Sequence, residues 1–246
     1  MIFKNNFLTI QYSMDTDQGL KRSNNEDSAD MQTVEYRNEN EFLIAALADG
    51  VGGMPDGEIA SKESVSVFIQ TITEEIRSGA FSSGSISSIR KGMIQANSSV
   101  LSVNRKKKSS EYMASTLTTF VIHGKTLSFA NSGDSELMLY DGKLRVLSEV
   151  HREIFTGYLT SCIGVDRTPE IFTGSIDLHD RDMILLSSDG LTDMVSEQNI
   201  SAVLSNSEKA TDELITELKE AAFSNGGIDN ITMILCRVEE NKTKKN

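Results

Sequence analysis

Apolar residues recur along this chain with two different periods, and the switches between them divide it into strands and helices. Residues 7–14 alternate weakly and predict a strand, residues 29–36 predict a second, and a polar turn at 37–40 leads into the unbroken apolar run of 42–48, a buried strand. Helical spacing then takes over. Ile59, Val65, Phe68, Ile69, Ile72 and Ile76 share one face of a helix over 59–77, with Glu58 in its first turn, where the helix dipole favours a carboxylate. A Ser/Gly-rich loop at 78–85 separates it from a second helix marked by Ile86, Ile89, Met93, Ile94, Val100 and Leu101. That helix ends before Asn104-Arg105-Lys106-Lys107-Lys108, a basic run expected to be a solvated loop. Short strands at 116–122, 127–131, 137–140 and 144–147, the last two joined by the hairpin signal Asp141-Gly142, predict an antiparallel meander. Strands at 171–176 and 183–186, a helical region over 197–223, a Gly226-Gly227 break and a strand at 231–238 complete the order. Strands in two groups with paired helices predict two sheets covered by helices.

The apolar runs stop on carboxylates. Asp49-Gly50 follows 42–48, Asp134-Ser135 follows the strand at 127–131, Asp189-Gly190 follows 183–186, Asp229-Asn230 directly precedes 231–235, and Asp27 closes Asn24-Asn25-Glu26-Asp27. Carboxylates at strand ends sit on a rigid frame and read as a cage for hard metal ions. Oxygen donors without a nearby thiolate or imidazole favour magnesium, manganese or calcium over zinc. The chemistry this predicts is hydrolysis by a metal-activated water, foremost of a phosphate ester.

Composition narrows the picture further. The 246 residues and 38% hydrophobic content fit one domain over 1–240, followed by a basic tail at 241–246 that is expected to be disordered. No apolar stretch approaches the roughly 18 to 20 residues that span a bilayer. The first residues lack an apolar signal segment, so the expected location is cytoplasmic. Cys162 and Cys236 lie far apart in apolar segments and read as two buried thiols rather than a disulfide. The net charge of −12 argues against a nucleic-acid partner, whose phosphates need many Lys and Arg contacts. Part of that charge is the carboxylate cluster, whose members repel one another unless cations join them.

In order along the chain stand Gly19-Leu20-Lys21-Arg22-Ser23-Asn24-Asn25-Glu26-Asp27, Ala48-Asp49-Gly50-Val51-Gly52-Gly53, Gly57-Glu58-Ile59-Ala60-Ser61, Gly133-Asp134-Ser135, Ser188-Asp189-Gly190-Leu191 and Gly227-Ile228-Asp229-Asn230-Ile231-Thr232. Each motif alone is weak; together and in this order, over about residues 7–238, they resemble the bacterial type of the protein phosphatase 2C family, metal-dependent serine/threonine phosphatases. The resemblance implies an α+β fold, a central β-sandwich of two antiparallel sheets flanked by helices on both sides, with a binuclear manganese or magnesium site at one edge. It implies that Asp49 bridges two ions, that the Gly50 carbonyl completes one of them, and that Asp189 and Asp229 bind the other. Asp134 with Asp189 would take a third, weaker ion, and Glu26 and Asp27 would act through metal-bound waters. Two cations about 3.5 to 4 Å apart would activate a shared water for in-line attack on phosphorus. Arg22 would clamp the phosphate, its guanidinium fork matching two phosphate oxygens. The substrates implied are phosphorylated proteins, products of a cognate serine/threonine kinase, acted on by a monomer.

The chain also departs from the family pattern. Val51 stands where many relatives carry a His, and no general acid is assigned in its place. His151 reads as structural, and His123 and His179 as turn residues. Glu136 replaces an Arg after Gly133-Asp134-Ser135, which bears on third-ion affinity. Only residues 152–158 separate His151 from an expected strand at 159–164, so the loop that forms a long flap in relatives is nearly missing, and a more open cleft with broad specificity is expected. A pseudophosphatase or phosphoprotein-binding module would keep the fold and lose ligands, yet every matched aspartate is present. A phosphodiester or nucleotide hydrolase would predict basic surface and histidine ligands, and neither is evident.

Overall fold

The computed structural model describes residues 1–36, 40–82 and 85–241. The chain runs β1 (Ile2–Lys4), β2 (Leu8–Asp17), β3 (Ser28–Tyr36), β4 (Asn40–Ala48), α1 (Gly57–Ser78), α2 (Ile86–Asn104), β5 (Leu117–His123), β6 (Thr126–Ser132), β7 (Glu136–Tyr140) and β8 (Leu144–Val146). It continues with β9 (Phe172–Asp177), β10 (Met183–Ser187), α3 (Asp189–Thr192), α4 (Glu197–Leu204), α5 (Thr211–Ser224) and β11 (Ile231–Glu240). One sheet has the order β1-β2-β11-β10-β7-β8 and the other β3-β4-β5-β6-β9, with antiparallel pairing throughout.

The alternation along single strands explains how these sheets stack. On β4, Leu43, Ala45 and Leu47 pack between the sheets against Ile10, Leu137, Ile184, Leu186 and Ile234. Their neighbours Phe42, Ile44, Ala46 and Ala48 point the other way, against Phe68, Ile72, Ile89 and Met93 of α1 and α2. On β10 and β11 the outward set, Met183, Leu185, Met233 and Leu235, packs on Leu214, Ile215 and Leu218 of α5 and Ile200 of α4. A strand covered on both faces needs apolar residues at every position, which is why 42–48 and 183–186 read as continuous apolar runs. The expected helix-sheet-sheet-helix layering is the one observed.

The structure corrects several local expectations. The helical region over 197–223 is two helices, because the polar residues 205–209 leave the apolar face and α5 starts afresh, with Glu213 Oε2 accepting the Ala210 N–H at 2.8 Å. β1 and the four-residue α3 were not anticipated; both are too short to carry a period. The basic run is not simply solvated: Asn104 is buried at the end of α2 and its Nδ2 donates to the Met113 and Gly164 carbonyls, each at 2.8 Å, while Lys107 pairs with Asp56 at 2.7 Å. Residues 159–164 form isolated bridges, Ser115 to Ile163 and Arg152 to Leu159, rather than a strand. His123 is the last residue of β5, its ring stacked on Phe42 at 4.1 Å. Both thiols are free, with Cys236 buried as expected and Cys162 only half-buried. Asn241 is tied down by bonds to Asn5, Phe7 and Thr9, and the rest of the expected tail, 242–246, lies outside the described residues, as do residues 37–39 of the expected polar turn and 83–84 of the Ser/Gly-rich loop.

Candidate active site

Strand register brings the singled-out carboxylates to one edge of the sandwich. Ser28 pairs with Ala48, so Asp27 and Asp49 flank the same end of the β3–β4 ladder, and Leu117 pairs with Ser132, which sets Gly133-Asp134 beside it. In the other sheet Ser187 pairs with Met233, so Asp189 and Asp229 lie just beyond the facing ends of β10 and β11. Polar side chains lock this edge. Thr116 accepts the Asp49 N–H on its hydroxyl at 2.9 Å and returns its own N–H to the Asp49 carbonyl at 2.8 Å. Ser188 donates to Asp27 Oδ2 at 2.8 Å and accepts the Thr232 N–H at 3.0 Å.

Asn230 is the pin of the assembly. Buried to 3% exposure, it donates from Nδ2 to the Gln18 and Asn24 carbonyls and accepts the Glu26 N–H on Oδ1, all at 2.8 Å. It thereby hangs the loop carrying Arg22 and Glu26 on the start of β11, and the Glu26 carbonyl in turn accepts the Gly50 N–H at 3.1 Å. Asn230, Thr116 and Ser188 are positioning residues that sequence reasoning missed; Asn230 and Ser188 stand next to quoted aspartates, the one signal available. Gly190 approaches the same pin so closely that a Cβ there would lie 1.9 Å from the Asn230 carbonyl oxygen. Gly190→Ala is therefore expected to lower stability by about 1–3 kcal/mol, read as a drop in the urea midpoint; an unchanged midpoint would mean that this contact constrains nothing.

A cavity of about 180 Å³ opens over this edge, lined among others by Arg22, Asp49, Asp134, Tyr158, Asp189 and Asp229. The carboxylates of Glu26, Asp27, Asp49, Asp134 and Asp189 are held away from their ordinary ionisation. Burial lifts Asp27 to about 6 and Asp189 to about 7, the latter further raised by Asp134, Asp193 and Asp229. Asp49 is pushed well above the usual carboxylate range by burial first and then by Asp27, Asp189, Asp229 and Asp134, which places it at the centre of the like-charge set. Burial also raises Asp134 and Glu26, and Glu136 on β7 behaves alike. Two arginines oppose this charge. Arg22 Nη2 lies 2.6 Å from Asp229 Oδ2, and Arg152, which sequence reasoning placed only in a shortened loop, reaches Asp134, Asp189 and Asp193.

The donor set fits hard divalent cations: carboxylate oxygens from five separate chain segments, with Asp27 Oδ1 buried and without a hydrogen-bond partner. Among the described residues, the one trio of His, Cys, Asp or Glu ligand atoms lying within 4.8 Å of one another is Glu149, His151 and Glu170. That trio is a poor cation site, because His151 Nδ1 accepts the Gly133 N–H at 3.2 Å, which leaves the ring proton on Nε2 and no free lone pair. His151 is a buried frame residue, as its sequence context implied. Glu26, Asp27, Asp49, Gly50, Asp134, Asp189, Asp229 and Arg22 are thus gathered at one site, with Asp229 turned to Arg22.

The model of the family described as Protein phosphatase 2C matches residues 21–221. A curated relative, the serine/threonine phosphatase stp of Listeria welshimeri, is 30% identical over 94% of this chain and 96% of its own length. The solved structure of the Streptococcus agalactiae serine/threonine phosphatase superposes with a TM-score of 0.76 at 28% identity, covering 94% of this chain and 100% of that one. The catalytic domain of the serine/threonine protein phosphatase PstP, solved in complex with two manganese ions, superposes with a TM-score of 0.76 at 26% identity over 95% of this chain and 99% of its own.

Proposed function

We propose, for a chain that belongs to the protein phosphatase 2C family, that the clustered carboxylates hold two divalent cations and that Arg22 receives the phosphate. The chain is a metal-dependent serine/threonine protein phosphatase, and its substrates are phosphoproteins. The observation that carries the assignment of roles is the convergence of Asp49 with Asp27, Asp134, Asp189 and Asp229, each raising the pKa of Asp49. Asp49 at the centre would bridge the two ions, the Gly50 carbonyl would join one, and Asp189 with Asp229 would hold the other. Glu26 and Asp27 would orient water around them. Manganese is the ion in the related PstP domain, and magnesium offers the same preference for oxygen donors. Bound cations supply a water of near-neutral pKa and positive charge for the phosphoryl oxygens.

The chain's own residues do the rest. The Arg22 side chain is 43% exposed, so its guanidinium can turn from Asp229 to a phosphate at the cavity mouth, which also frees Asp229 for a cation. No imidazole follows Asp49-Gly50, and His151 is buried, so neither position supplies the leaving oxygen with a proton; a water would do so without any further side chain. We read the cellular substrates as products of a serine/threonine kinase, met in the cytoplasm by a monomer; no helix among the described residues is long and apolar enough to cross a membrane.

The test is phosphate release from a phosphothreonine peptide and from para-nitrophenyl phosphate, with manganese, with magnesium and with chelator. Release that requires the ions supports the reading; none from well-folded protein under any condition would favour a phosphoprotein-binding module. Arg22→Ala is expected to raise KM about ten- to hundredfold with a smaller change in kcat, the loss of a charged hydrogen-bonding partner. An unchanged KM would remove Arg22 from phosphate binding.

A further inference from the structure

One corner of the site already contains a cation, and the chain supplies it. Arg152 Nη1 lies 3.1 Å from Asp193 Oδ2, 3.2 Å from Asp189 Oδ2 and 3.4 Å from Asp134 Oδ2, while Nη2 lies 2.6 Å from Asp193 Oδ1. A positively charged nitrogen among three carboxylate oxygens from two separate segments, 133–135 and 189–193, has the surroundings a hard divalent cation would choose. From this geometry we infer that Arg152 is a built-in cation that fills the corner formed by Asp134, Asp189 and Asp193 and closes it to a further divalent ion. The inference rests on the two-cation reading above and goes beyond it by limiting how many ions the chain holds and by naming the residue that sets the limit.

Three arguments lead there. An ion bound to Asp134 Oδ2 and Asp189 Oδ2 would share its ligand oxygens with a guanidinium that stays charged at every relevant pH, so the two positive charges exclude one another. Asp134 is 7% exposed, and among the described residues the one ion pair it makes is with Arg152; a carboxylate so buried needs a cation at hand. The root of Arg152 is also fixed. Its neighbour His151 donates its N–H to the Gly133 carbonyl at 3.0 Å and accepts the Thr160 N–H at 2.8 Å, and Arg152 itself bridges to Leu159.

Arg152 therefore ties the ion count to the wall of the cleft. From it hangs one tight turn, closed by Glu153 N–H to the Tyr158 carbonyl and Gly157 N–H to the Glu153 carbonyl, both at 2.9 Å. Ile154 and Phe155 at its tip are 92% and 94% exposed, and Tyr158 lines the cavity. The shortened loop is thus anchored in the acidic cluster, not merely cut back.

The experiment is manganese binding to the full chain by equilibrium dialysis, with hydrogen exchange of residues 153–159 as a second readout. Wild-type protein is expected to bind two ions. Arg152→Met is expected to gain a third, bound about tenfold or more tighter than any third ion on wild-type protein, and to exchange faster over 153–159 in chelator. Should Arg152→Met fail to fold, Arg152→Gln removes the charge while keeping a polar side chain, and the same gain is expected. A third ion on wild-type protein with the affinity seen in the variant, or equal stoichiometry and affinity in both, overturns the inference while the two-cation reading stands. Wild-type protein that binds no manganese overturns both.

Discussion

Asp49→Asn is expected to lower turnover of para-nitrophenyl phosphate by about a thousandfold or more, because it removes the carboxylate proposed to bridge both cations and with it several kcal/mol of transition-state stabilisation. The same change should leave the fold intact, and in chelator it should make the protein at least as stable as wild type. Burial and then the charges of Asp27, Asp189, Asp229 and Asp134 disfavour ionised Asp49. An amide of the same shape carries no charge into that setting, so the folded state loses a repulsion when it loses the ligand. The hydrogen bonds that place residue 49 run through its backbone to Thr116, and a side-chain change leaves them in place. Kinetics with saturating manganese and thermal unfolding in chelator check the two halves separately. Near-wild-type turnover would remove Asp49 from the reaction; lost turnover together with a lower melting temperature would recast Asp49 as a structural residue.

The layering and the carboxylate edge were legible in the sequence because both follow from local rules. A strand with apolar residues at every position must be covered on both faces, and the residue after it emerges at a sheet edge, so 42–48 followed by Asp49 carried both facts. Pairing between the sheets' ends, and hence the meeting of Asp49 with Asp189 and Asp229, was implied by the ordered motifs and not by any spacing. What stayed hidden is long-range and polar. Asn230 reaches residues more than 200 positions away, and Arg152 reaches Asp189 and Asp193 across 37 and 41 positions. No period marks such a contact, and a single Arg in a short loop reads as solvated surface until the fold places three carboxylates around it. The basic run after α2 failed for the same reason, since Asn104 looks polar in sequence and is spent entirely on two backbone carbonyls and the Met113 N–H.

Metal-free protein should become less stable as pH rises from 5 to 7, the reverse of a chain whose carboxylates are paired in the folded state. The sign follows from the site. Asp27 titrates at about 6 and Asp189 at about 7, with burial the first cause of each, and Asp49 is raised as well. In the unfolded chain these groups ionise near 3.9. Between about pH 4 and 7 the folded state therefore holds more protons, so the stability these groups contribute is complete below the lower value and is lost as pH rises through the higher. Each extra proton held changes stability by about 1.4 kcal/mol per pH unit, or about 3 kcal/mol across two units. Arg22 and Arg152 stay charged throughout and do not alter the slope's sign. Divalent cations reverse the trend, because they take the place of those protons: each proton displaced tightens ion binding up to about tenfold per pH unit. Thermal unfolding in chelator and in manganese at pH 5.5 and 7.5 reads both effects, with the melting temperature in chelator falling between the two and the gain from manganese larger at 7.5. A chelated protein whose melting temperature holds or rises over that interval would mean that the carboxylates are already ionised without metal and are not poised to exchange protons for cations.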